Sequence, residues 1–111
     1  MKFIMNDREW EIVEISDEEM SIKEGYDTTE EFVHGITKYS ENRIYINSAT
    51  PNKEKTLYHE LVHCYTYEYG FNPFNKKFTI EDVCEICACS HDIINKIVKE
   101  YFKDVREARR R

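Results

Sequence analysis

His59, Glu60 and His63 stand in the order His-Glu-Leu-Val-His inside the run "KTLYHELVHCYTYEYG", Lys55 to Gly70. Two imidazoles four positions apart on a helix are separated by about 40° around its axis, so one ion can touch both, while Glu60 lies about 100° from His59, beside the pair. This is the H-E-x-x-H arrangement, in which the imidazoles bind zinc, the zinc lowers the pKa of water from about 15.7 to near 7, and the carboxylate takes that water's proton as it attacks a carbonyl. Glutamate then has the length and pKa to pass the proton to the leaving amine. Two hydrogen-bonded histidines at the edge of a core would also account for the spacing. The apolar and aromatic run around them favours an ion, which compensates the cost of setting polar rings there.

A catalytic zinc takes three protein ligands and keeps one open place. The extension that supplies a third histidine from the same helix needs glycine at 66 and histidine at 69, where this chain has Thr66 and Tyr69. A carboxylate from the following segment remains, and "TIEDVCEICACSHDII" offers Glu81, Asp82, Glu85 and Asp92. On a helix Glu81, Glu85, Ala88 and Asp92 share one side, and a small residue at 88 favours close helix approach. Glu85 is the candidate and Glu81 the reserve. A rival set is Cys84 and Cys87 with His59 and His63, a closed Cys2His2 site with a structural ion and no open place. In a regular helix these two cysteines point about 100° or more from Glu85, into an apolar stripe with Val83 and Ile94. Cys64 and Cys89 read as packing residues.

These residues need elements to hold them. "KFIMN" and "EWEIVEI" alternate around "NDR", a first hairpin, and "EFVHGITKY" and "RIYINSA" flank "SEN", a second. Residues 16 to 31 form an acidic connection, with one helical turn expected after the capping signal at Thr28 and Thr29. Thr50 is the expected cap of the motif helix with Pro51 in its first position, and Gly70 ends it. "FNPFNKKF" reads as a loop, after which Thr79 and Asp82 signal another helix start. Val83, Cys87, Ile94, Ile97, Val98, Tyr101, Phe102 and Val105 then form one stripe, with a break expected near Ser90 to Asp92 and a fraying end at "REARRR". His34 reads as a surface or hydrogen-bonded histidine, His91 as facing the stripe, and Tyr58, Tyr65, Tyr67 and Tyr69 as core or rim residues around the motif.

The expected fold class is α+β: one domain over residues 1–111, with a small N-terminal antiparallel sheet of two hairpins packed on the motif helix and a C-terminal helical segment. Of 111 residues 41% are hydrophobic, enough for a core, and a net charge of -6 disfavours nucleic acid as a partner. No run reaches the roughly twenty apolar residues of a membrane helix, and "MKFIMNDREWEI" lacks the apolar centre of a secretory signal, so a cytoplasmic location is expected.

The segment "TLYHELVHCY", followed by "EICA", resembles the ImmA/IrrE family of small zinc metallopeptidase domains of bacteria, mobile elements and phages. The similarity extends from "RIYINSA" through "SHDII", and "G-x-T-x-Y … I-Y-I-N" from Gly35 to Asn47 adds to it. The resemblance implies a minimal zincin fold, a Zn2+ cofactor held by His59, His63 and Glu85, Glu60 as general base, and a protein or peptide substrate. Larger relatives cleave or help to inactivate a repressor, so a regulator is the implied substrate class. The chain departs from the family at Val62, where glycine is common, and at His91, where phenylalanine usually follows. The expected activity is peptide-bond hydrolysis, and the presentation of a substrate is expected at the edge of the "RIYINSA" strand. The alternative is a non-catalytic zincin-fold binding module with a structural or absent metal, suggested by how little chain there is for substrate subsites.

Overall fold

Asn6 and Asp7 have φ angles of 51° and 61°, the left-handed pair that a two-residue hairpin turn requires. They join β1 (Lys2–Met5) to β2 (Arg8–Ile15) as an antiparallel pair, with Phe3 opposite Trp10. The computed structural model describes residues 1–24, 32–70 and 79–109. After β2 come α1 (Asp17–Glu24), β3 (Gly35–Lys38), β4 (Arg43–Asn47), α2 (Lys53–Glu68) and α3 (Ile80–Arg109).

Both expected hairpins form, and the architecture is α+β. The sheet is mixed, however, not antiparallel throughout: its order is β1-β2-β4-β3, and β2 runs parallel to β4, with Ile12 beside Ile44. The parallel register matches the alternation in the two strands without being dictated by it. Ile12 and Ile44 face one side of the sheet, Val13 and Tyr45 the other, so side-by-side pairing joins like faces. The larger core lies on the first side, where Met5, Trp10, Ile12, Ile44 and Ile46 meet Leu57, Leu61 and Cys64 of α2 and Ile94, Ile97, Val98 and Tyr101 of α3. On the other side Met20 of α1 covers Ile15, Ile36 and Tyr45.

Several local expectations change. The cap of α2 is Asn52, whose side chain accepts from the Lys55 N–H, so the helix starts two residues later than Thr50 and Pro51 suggest. Thr50 is buried instead, its hydroxyl 2.8 Å from His34 Nδ1 and 3.1 Å from Thr56 Oγ1. The helix does stop at Gly70, which has φ +83°. Thr79 and Asp82 cap α3 reciprocally, at 3.0 and 3.1 Å. That helix then continues for 30 residues without the break expected at Ser90 to Asp92, because Ser90 is buried in the helical register. The connection after β2 begins with α1, and Asn47, fully buried, ties it down by donating to Asp17 Oδ1 at 2.8 Å and to the Val33 carbonyl at 2.9 Å. The expectations for Thr28, Thr29 and "FNPFNKKF" fall outside the described residues. Among the described residues no helix is long and apolar enough to cross a membrane.

A buried carboxylate pins the far end of α2 to the first hairpin. Glu68 is 9% exposed and accepts from Trp10 Nε1 at 3.0 Å and Arg8 Nη1 at 3.2 Å, while its carbonyl accepts from Asn6 Nδ2 at 2.8 Å. Replacing it by alanine leaves the indole N–H without an acceptor in the core. Glu68→Ala is expected to lower the unfolding free energy by about 2–4 kcal/mol in urea denaturation, and Glu68→Gln, which keeps one acceptor, by less.

Candidate metal centre

The helix that carries the motif runs across the sheet face close to β3, and Gly35 is where they meet. A Cβ at position 35 would stand 3.0 Å from both Glu60 Cγ and Thr56 Cγ2, and 3.1 Å from the Tyr45 carbonyl oxygen. A Cβ here would require these neighbours to give by a few tenths of an ångström, so glycine favours the close approach of α2. The period-two alternation of the strand then turns Thr37 toward the same helix. Its hydroxyl is 3.0 Å from Glu60 Oε1 and 3.1 Å from the Glu60 carbonyl oxygen, and donates to one or the other. Glu60 is thereby a buried carboxylate, 6% exposed, with a fixed orientation.

His59 and His63 are both exposed, on the turn of α2 beside Glu60. Their Nε2 atoms face one another at 3.2 Å, and Glu60 Oε2 is 3.9 Å from His59 Nε2. Two nitrogens each about 2.05 Å from a single tetrahedral ion stand about 3.3 Å apart, so the imidazole pair has the separation that such an ion requires. Although His63 is exposed as a residue, the part of its ring that faces protein is desolvated, and this, with His59 alongside, lowers its pKa below the usual imidazole value. The favoured form is neutral, the form that ligates metals.

The other expected ligands are placed differently. Glu85 is exposed on α3 and accepts from Cys89 Sγ at 3.2 Å. Tyr65, two residues beyond His63, senses it: burial first, then Cys89, Tyr69 and Glu85, raise the phenol's pKa. Among the described residues no three His, Cys, Asp or Glu side chains come together to hold a metal. Glu81 is exposed as well. Cys84 and Cys87 are exposed, as is Val83, so the first turns of α3 do not bury the stripe expected there. Ile86 and Ser90 take that face instead. Cys89 is exposed and only Cys64 packs in the core. His91 is exposed too, its Nε2 2.9 Å from Asn95 Nδ2, and Asn95 Oδ1 in turn accepts from the Tyr58 hydroxyl. The "RIYINSA" strand has no open edge, since β4 is paired on both sides. The outer strand next to the motif is β3.

Three residues enter the sequence reading only as the fixed positions of the G-x-T-x-Y pattern, without a role in the site. Gly35 and Thr37 belong to the segment "GITKY", where that pattern and alternation along the strand are the available signals. Tyr39 completes that alternation: its ring stacks on Tyr67 with centroids 4.6 Å apart, and burial, followed by the Glu60 charge, raises its pKa. Compared with protein-family models, with curated proteins and with solved structures, the chain shows no match.

Two outcomes follow from this packing. Gly35→Ala forces the helix or the Glu60 side chain to move and is expected to cost about 1–3 kcal/mol of stability, read from thermal or urea unfolding. Burial raises the Cys64 thiol pKa, and the hydrogen bond to Glu85 raises that of Cys89, so both hold less thiolate at a given pH. Alkylation of the folded protein followed by mass spectrometry should therefore modify Cys84 and Cys87 first, Cys89 more slowly, and Cys64 only after unfolding.

Proposed function

We propose that the chain is a zinc-dependent metallopeptidase that hydrolyses a peptide bond in a protein substrate, with a regulator or repressor the class suggested by its resemblance to the ImmA/IrrE family. The observation that carries this reading is the pair of facing imidazole nitrogens 3.2 Å apart, with a buried, oriented carboxylate next to them. His59 and His63 would hold the metal, and Glu85, which accepts from the Cys89 thiol, a weak donor, is the proposed third ligand with Glu81 in reserve. A divalent cation bound there supplies Lewis acidity, acidifying water and polarising a carbonyl.

The chain's own groups account for the rest. Glu60 accepts the proton of the attacking water at its carboxylate and returns it to the leaving amine. Thr37 acts through Glu60 as a positioning residue, keeping Oε1 in place with its hydroxyl. The outer edge of β3, which begins at Gly35, offers backbone groups to an extended peptide, so the substrate strand lies beside Glu60 and not beside β4. Free thiols on an exposed helix suit a reducing compartment, in keeping with a cytoplasmic location.

Glu60→Gln is expected to retain zinc while cleavage of a peptide substrate falls by at least about a hundredfold, the scale of general base catalysis. Full activity in that variant would overturn the reading. Metal content separates the open site from the closed cysteine site: Glu85→Ala should weaken zinc binding and the double change Cys84→Ser with Cys87→Ser should not. The reverse result would favour the non-catalytic binding module.

A further inference from the structure

Beside the candidate centre a cleft of about 460 Å³ opens between the start of β3 and the first turns of α2, with His34, Thr50, Asn52, Lys55, His59 and Glu60 in its walls. The chain carries 22 acidic and 16 basic residues, yet among the described residues that line this cleft the one acidic side chain is Glu60, already engaged by Thr37. Lys55 precedes His59 by four positions, so the two share a face of α2. Among the described residues the exposed Lys55 ammonium pairs with no carboxylate, whereas Lys2, Arg8, Arg43 and Lys53 all do. On the opposite wall His34 is held by its Nδ1 to Thr50, and Thr50 in turn to Thr56. That chain fixes the ring and leaves Nε2 as its remaining polar atom.

We infer that this cleft is a specificity subsite for a carboxylate of the substrate peptide, taken from the side chain of a Glu or Asp next to the reacting bond, with Lys55 as its cationic partner and His34 as the second wall. The inference rests on the peptidase reading for its placement, because Glu60 and His59 are among the residues that line the cleft. A carboxylate entering it meets an unpaired ammonium without having to displace an internal ion pair, which is the condition under which a charged hydrogen bond yields discrimination. A lysine or arginine in the same position would face Lys55.

The test uses the whole protein with zinc added and blocked, labelled hexapeptides that carry Glu, Gln or Lys at each position in turn, plus Gln peptides with a free C-terminal acid. Binding is read by fluorescence anisotropy and cleavage by mass spectrometry. At one position the Glu peptide should bind about tenfold tighter than its Gln counterpart, as expected for one charged hydrogen bond. Lys55→Gln should level that difference, and Lys55→Glu should transfer the preference to the Lys peptide. If only the free-acid peptides gain affinity through Lys55, the carboxylate subsite stands with the chain terminus as its source. A preference that follows Lys55 without any cleavage keeps the cleft and removes the hydrolytic reading. Cleavage with affinities equal across the set, or with a preference that survives Lys55→Glu, overturns the subsite and leaves the peptidase.

Discussion

The distance between α2 and β3 controls this molecule. With no side chain at Gly35 the helix settles against the outer strand, and the contact brings a carboxylate, Glu60, under the hydroxyl of Thr37. A buried carboxylate is costly unless its oxygens are satisfied, and here a strand supplies the donor. Both histidines, by contrast, are left on the solvent side of the same helical turn. One helix thus presents an oriented acid and an open pair of imidazoles within a few ångströms, which is why the pattern of residues acquires chemical meaning only when the sheet is in place.

Both ends of α2 are held by polar anchors instead of by apolar packing alone. At its beginning Asn52 caps the helix, while Thr50 joins Thr56 to His34, and buried Asn47 fixes the preceding turn through the Ala49 N–H. At its end Glu68 gathers Arg8 and Trp10 from the first hairpin. Such anchors have fixed directions, so they set the helix's position along its axis, which hydrophobic contacts leave loose. The sheet face supplies the attraction, and the anchors the register.

The histidine pair and Glu60 were legible because one five-residue motif in one helix sets their relative angles. Hairpins were legible from alternation and from turn residues such as Asn6 and Asp7. The parallel join of β2 to β4 was not, since alternation marks faces of strands without saying which strands pair or in which sense. The face of α3 was misjudged for a related reason. Val83 and Cys87 are apolar enough to be buried, but Ile86 and Ser90 take the inward face of this stretch, and Val83 is 51% exposed. Thr50 was an acceptable cap by type, and lost that place because Asn52 caps as well and Thr50 had a buried partner to meet. Thr37 and Gly35 depend on a contact between residues more than twenty positions apart, and no local pattern specifies that.

The parallel pairing has a consequence for how the chain reaches this shape. Glu11 lies beside Arg43, so closing that ladder spans 32 positions and costs about 3 kcal/mol in chain entropy before its contacts compensate. Each hairpin needs only a short loop. The two halves of the sheet are therefore ready early, and their junction, the same junction that sets the floor under α2, is the slow step of assembly.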